Sequence, residues 1–197
     1  MPVTMSRPPR VTLIQRTDFM LIPILVGLVV VVVLLVVIVA MQPSAFRITR
    51  SMTMSASASA VFEQVNNFHN WEAWSPWAKL DSKMETIYDG PSSGVGSIYC
   101  WYGNNKVGEG RMKLIERLPN DLIRIKLEFF RPFKATNIAE FTFKSEGAQT
   151  VVEWSMTGTN DFKGKAFGLL MNMDKMCGGD FEKGLASLKS LVETAKA

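Results

Sequence analysis

Apolar positions in this chain follow three different periods, and each period predicts a different kind of element. The first is no period at all. From Leu21 to Met41 there is no charged or amide side chain, and the centre reads Val29-Val30-Val31-Val32-Val33-Leu34-Leu35-Val36-Val37. At about 1.5 Å rise per residue this makes a helix of about 30 Å, the thickness of a bilayer's hydrocarbon core. Pro23 falls in the first turn, where a missing N–H costs least. A buried helix of a soluble core would keep a polar stripe. A cleaved signal peptide has a shorter apolar region, about 7–15 residues, ending in an A-x-A-like site. Ile38-Val39-Ala40 is only a fair match to that site, so the pattern predicts an uncleaved single-pass anchor. The expected organisation is a basic segment over 1–19, a transmembrane helix over 20–42 and one domain over 44–197.

Beyond Pro43 the period changes to two. Phe46 to Met54 alternates apolar with polar residues, as a half-buried strand does. Val61, Phe62, Val65 and Phe68 then recur at helical spacing, with a helix start expected near Ser59. A tryptophan-rich segment follows, His69-Asn-Trp71-Glu-Ala-Trp74-Ser-Pro76-Trp77. Alternation returns over Met84–Tyr88, Ser97–Tyr102, Gly108–Arg117, Leu122–Phe130, Thr136–Lys144 and Thr150–Thr157, and Gly, Pro, Asn and Asp clusters separate most of these runs. In the clearest of these runs Ile123, Ile125, Leu127 and Phe129 share one face, and Arg124, Lys126 and Glu128 share the other.

The third period is helical. Phe167, Leu170, Met173, Cys177, Phe181, Leu185, Leu188 and Val192 form one stripe at steps of three and four, which predicts one long terminal helix. Gly178 and Gly179 inside it would each cost roughly 1 kcal/mol relative to Ala, so a kink or a close approach to the sheet is expected there. The order of elements predicts an α+β domain. A bent antiparallel sheet of about seven strands would wrap the long helix and enclose either a packed core or a cavity.

On these residues the chain resembles the START-like, Bet v 1-like helix-grip superfamily (SRPBCC), in its polyketide cyclase/dehydrase-type branch. The resemblance rests on Ser57-Ala-Ser-Ala-Val-Phe-Glu-Gln-Val65, on Phe68-His-Asn-Trp-Glu-Ala-Trp-Ser-Pro-Trp77 and on Asp180-Phe-Glu-Lys-Gly-Leu-Ala-Ser-Leu-Lys-Ser-Leu191, and spans about residues 44–197. It implies a hydrophobic ligand cavity between sheet and helix. It does not imply one activity, because such folds host carriers, binders, cyclases and co-chaperone modules.

Charge narrows the partners. The net charge is +4, and residues 1–43 hold three Arg and one Asp, leaving 19 basic and 17 acidic residues beyond them. The domain is therefore nearly balanced and has no basic stripe, so no nucleic-acid partner is expected. Arg7, Arg10 and Arg16 before the apolar run outnumber Arg47 and Arg50 after it, which favours the domain on the extracytoplasmic side. Cys100 and Cys177 show no CxxC or Cys/His spacing, so no metal, cofactor or redox site is expected and no spacing argument pairs them.

Candidate chemistry is sparse. His69 is the only histidine, and Glu72 is its nearest possible carboxylate partner. Trp71, Trp74 and Trp77 fit a wedge of short helices against the sheet. Either Tyr99 with Trp101 or Cys100 with Tyr102 enters the interior, since strand neighbours alternate. Arg111, Arg124 and Glu109 are expected on the solvated face, and the glycines of Gly94-Val-Gly96 and Gly108-Glu-Gly110 as turns or bulges. The expected cavity lining is Met112, Ile125, Leu127, Phe129, Phe141, Phe143, Trp154 and Met156 from the strands. Phe167, Leu170 and Met173 would add to it from the closing helix. The resulting expectation is membrane-anchored binding of a small hydrophobic or lipid-like molecule. A cyclase/dehydratase-type enzyme using the same cavity and a protein-interaction module are the alternatives.

Overall fold

The computed structural model describes residues 14–195; the side chains of residues 14–20 and of Leu170 also lie outside the described set. Arg7 and Arg10 of the basic segment therefore fall outside the described residues. The chain divides into two compact units, Met1–Gln42 and Pro43–Ala197. In the first, α1 (Ile14–Met41) runs unbroken through Pro23. Its stretch Leu21–Met41 is long and apolar enough to cross a membrane, a description a signal sequence also meets.

The second unit is a seven-stranded antiparallel sheet with helices against its concave face. The strands are β1 (Ala45–Met54), β2 (Glu85–Asp89), β3 (Ile98–Tyr102), β4 (Glu109–Leu118), β5 (Leu122–Arg131), β6 (Ala135–Glu146) and β7 (Gln149–Thr159). Their order is β1-β7-β6-β5-β4-β3-β2, so the first strand pairs with the last, Ala45 opposite Thr159 and Met54 opposite Thr150. Each expected strand forms within a residue or two of its predicted limits. Tyr99 and Trp101 turn inward against the core, while Tyr102 is exposed.

Between β1 and β2 lie α2 (Ala58–Asn66), a 3-10 turn over Phe68–Asn70, and α3 (Trp71–Trp74). The cap of α2 is Ser57, not Ser59: its side chain accepts from the Ala60 N–H, and the helix starts two residues earlier than the apolar spacing suggests. The indoles of Trp71 and Trp74 donate to the Val65 and Gln64 carbonyls, which ties the short helices to one another. Thr150 Oγ1 donates to the Ala56 carbonyl at 2.8 Å and fastens this segment to the start of β7.

The expected single terminal helix is two helices, α4 (Phe162–Leu170) and α5 (Met173–Thr194). Asn172 breaks the stripe: it has extended backbone, and its side chain caps α5 by accepting from the Lys175 N–H at 2.9 Å. Asp161 caps α4 in the same way. α5 runs unbroken through Gly178 and Gly179. A Cβ on Gly178 would meet the Arg50 guanidinium, and one on Gly184 would come within 2.7 Å of the Trp154 ring and 3.1 Å of Pro76. Gly178 and Gly184 let the helix approach the sheet, whereas a Cβ on Gly179 would meet open space.

Arg50 on β1 holds the first turns of α5, donating to both Asp174 carboxylate oxygens at 3.0 and 3.1 Å and to Glu182 at 2.6 Å. Glu193 near the far end of α5 accepts from the Ser55 N–H at 2.6 Å, so the helix runs along β1 toward its end. The convex face carries an ion-pair lattice: Arg111 with Glu128, and Arg124 with Glu140 and Glu116.

Candidate ligand site at the open end of the sheet

Strand pairing arranges the inward side chains in rows across the sheet. Ile123, Phe141 and Trp154 make one row; Leu114, Ile125, Ala139 and Met156 make the next. Met112, Leu127, Asn137 and Gly158 form a third, and Gly110, Phe129 and Ala135 a fourth. The rows run from the end where β1 finishes, the closed end, toward the end where β1 begins, the open end.

Near the closed end the concave face is filled. Trp71 and Trp74 meet Phe141 edge-on with ring centres 5.9 and 6.2 Å apart, and Phe62 meets Phe143 at 5.4 Å. Trp154 stacks between Phe141 at 4.8 Å and Phe181 of α5 at 4.2 Å. Of the residues expected to line a cavity, Ile125, Phe141, Phe143 and Trp154 are thus deep in the protein's own core, Met112 and Met156 belong to the same core nearer its edge, and Leu127 and Phe129 pack against it. The physical reason is the number of aromatic rings brought in by α2, α3 and α5.

At the open end the same alternation meets less cover. Met112 and Met156 are only just buried, and Leu127 and Phe129 are half-buried. Trp101 lies over Gly110, which has no side chain to hold it off, and meets Phe129 edge-on at 5.8 Å. Of the expected closing residues, Phe167 is 41% exposed, Met173 is half-buried, and Leu170 lies outside the described side chains. The result is an apolar floor that is half-covered at Leu127 and Phe129.

One polar group sits in that floor. Asn137 is 7% exposed, and its amide donates to the thioether of Met156 at 3.8 Å, a weak acceptor. Gly158 makes room for its carboxamide oxygen. The sequence reading passed over Asn137, although an amide in the inward register Asn137-Ala139-Phe141-Phe143 is a legible signal.

The floor residues themselves carry no titratable group. The Asp174 carboxyl is held below its ordinary range by the hydrogen bonds from Arg50. Burial pushes the Tyr99 hydroxyl up to about 12 and raises the Cys177 thiol. Both cysteines are free, and among the described residues no group of three metal-ligating side chains occurs.

His69 lies elsewhere, in a cleft of about 300 Å³ with Phe68, Tyr88, Asp89 and Ser97. Its ring stacks on Tyr88 at 3.9 Å, and among the described residues no hydrogen bond or ion pair joins it to Glu72. The Ser97 hydroxyl is buried without a protein partner.

Comparison with known proteins places this geometry in context. Residues 45–193 match the family model described as polyketide cyclase / dehydrase and lipid transport. Among curated proteins none matches the chain in sequence. A protein of unknown function from Staphylococcus aureus, 13% identical, superposes with a TM-score of 0.60 over 79% of this chain and 98% of its own. The Aha1 dimer from Colwellia psychrerythraea, 17% identical, gives 0.56 over 77% and 99%. The di-domain ARO/CYC StfQ from the steffimycin biosynthetic pathway, 11% identical, gives 0.60 over 78% of this chain and 52% of StfQ. At these identities the likeness is one of fold.

Proposed function

The chain belongs to the polyketide cyclase / dehydrase and lipid transport family, and from that premise we propose that it is a membrane-anchored helix-grip domain binding a small hydrophobic or lipid-like molecule at the open end of its sheet. Leu21–Met41 is the anchor in this reading, and the arginine count puts the domain on the extracytoplasmic side. Met112, Leu127, Phe129 and Met156 form the floor, and Phe167 and Met173 face the ligand from the helical side.

The observation that carries the reading is the single buried amide in an apolar floor. Ligand sites are mostly apolar with a few placed polar groups, and among the described residues the Asn137 amide donates to a thioether, a weak acceptor. Its N–H and C=O suit a ligand with one hydroxyl or carbonyl at the end of an apolar body. Covering the floor contributes roughly 25 cal/mol per Å² of apolar area removed from water. The floor residues Met112, Leu127, Phe129, Asn137 and Met156 carry no acid or base, so the arrangement suits holding a molecule rather than moving its protons.

Native mass spectrometry of the full chain, extracted in detergent from its own membrane, tests this. The expected result is one bound hydrophobic species. Asn137→Leu should weaken its retention by about tenfold, the worth of one net hydrogen bond, without loss of fold. Wild-type protein that is empty after mild extraction, and that takes up no added fatty acid or isoprenoid alcohol, would remove the basis of the proposal.

A further inference from the structure

The chain that leaves the apolar run reaches β1 after only Gln42, Pro43 and Ser44. Extended chain spans at most about 3.6 Å per residue, so length alone holds the start of β1 within roughly 15 Å of where the run ends. Strand register identifies which surfaces share that end of the domain. Ala45 lies opposite Thr159, the Asn160 N–H donates to the Ser44 carbonyl at 2.8 Å, and α4 begins two residues later. Asn137 lies opposite Gly158, which brings the β5–β6 hairpin to the same end.

These two segments share an unusual composition. The hairpin reads Phe129-Phe-Arg-Pro-Phe-Lys-Ala135, and α4 with its following residue reads Phe162-Lys-Gly-Lys-Ala-Phe-Gly-Leu-Leu-Met171. Together they hold four basic residues and no acidic one. Their large apolar side chains stand in water: Phe133 is 71% exposed, and Phe130, Phe162, Leu169 and Met171 are exposed as well. The nearby carboxylates are engaged, Glu109 with Arg131 and Asp161 with the N–H of Gly164.

We propose that the β5–β6 hairpin tip and α4 dock on an anionic lipid surface, with Phe133, Phe162 and Leu169 entering the interfacial layer and Lys134 and Lys163 facing lipid phosphates. Apolar residues interleaved with lysine are what an interfacial element needs, since apolar burial and attraction to anionic headgroups act together. The short tether limits only how far this end can move from a bilayer-inserted Leu21–Met41, and the charge pattern selects the lipid. The inference rests on the anchored reading of Leu21–Met41. It adds that the half-covered floor beside Phe129 opens toward lipid, so a membrane-dissolved ligand need not cross water.

Hydrogen–deuterium exchange on the full chain in lipid nanodiscs tests the docking. Discs of phosphatidylcholine alone are compared with discs that also contain phosphatidylglycerol. Exchange over 129–135 and 162–171 should slow by about fivefold or more in the anionic discs, the worth of one basic residue at such a surface. The α5 segment should not change. Lys134→Glu combined with Lys163→Glu should abolish the difference; both side chains are exposed, so the fold is retained. Equal exchange in the two kinds of disc overturns the docking. So does protection that survives the charge reversal, which would point to a second copy or a protein partner. A chain that does not enter the discs overturns the anchored reading itself. Ligand occupancy of the double variant, measured in detergent, should equal wild type and so separates this surface from the binding floor.

Discussion

The closed and open ends of this sheet follow one alternation and differ in what covers them. At the closed end α2, α3 and the body of α5 deliver Phe62, Trp71, Trp74 and Phe181 onto Phe141, Phe143 and Trp154, and the rings interlock. At the open end the inward positions continue through Met112, Leu127 and Phe129, but Leu127 and Phe129 are only half-buried. The difference teaches that an inward apolar row is not by itself a cavity. Whether it becomes core or binding surface depends on the side chains that other elements bring to it.

Mutations can break the contrast. Trp154→Ala should destabilise the domain by about 3–5 kcal/mol, because a fully enclosed ring is removed. Leu127→Ala, half-buried at the open end, should cost only about 1 kcal/mol of stability. Urea unfolding of both variants measures the gap; equal losses would mean that the open end is as well packed as the closed one.

The two close-packed glycines of α5 sharpen the same contrast at a smaller scale. Gly184→Ala should lose about 1–3 kcal/mol, since a methyl group would press on the Trp154 ring and Pro76, which cannot move aside. At Gly178 the obstacle is the flexible end of Arg50. Gly178→Ala should therefore be near neutral, the helix preference of Ala of up to about 1 kcal/mol offsetting a shift of Arg50 in its surface ion pairs with Asp174 and Glu182. Thermal unfolding of the pair distinguishes the two sites.

The smallest effects are electrostatic and separate the regions by pH. The Asp174 and Glu128 carboxyls are depressed in the folded state by Arg50, and by Lys126 and Arg111 respectively. The stability they contribute is present above their unfolded pKa and is lost as pH falls through their depressed folded values, below the ordinary carboxylate range. Arg50→Met should flatten the Asp174 part of that acid loss. Tyr99 moves the other way. Its pKa rises from 10 to about 12 by burial, so its contribution is whole below pH 10 and disappears as pH rises toward about 12. Unfolding midpoints across both limbs, with tyrosinate absorbance for the alkaline one, check the signs.

Much of this fold was legible because period-two alternation marks each strand run between Phe46 and Thr157, and helical spacing marks Val61 to Phe68 between the first two. The break between α4 and α5 was missed, since the apolar stripe runs straight through Asn172 and only its capping side chain ends the register. The inward face of each strand was legible, but not the depth of each side chain in it. Alternation assigns Phe141 and Leu127 to the same side, yet it holds no information about Trp71 or Trp74 arriving over one and not the other. Asn137 escaped notice because a lone amide stands out only when its neighbours are known to be buried.

The central claim is that a hydrophobic molecule rests on the open-end floor. Photo-crosslinking of the full chain in nanodiscs with a diazirine-bearing fatty acid, followed by peptide mapping, tests it most directly. The account predicts adducts at Met112, Leu127, Phe129, Asn137 and Met156, reduced by competing unlabelled fatty acid and by Asn137→Leu. Adducts confined to α1, or gathered around His69 and Tyr88 in the cleft beside β2, would contradict it.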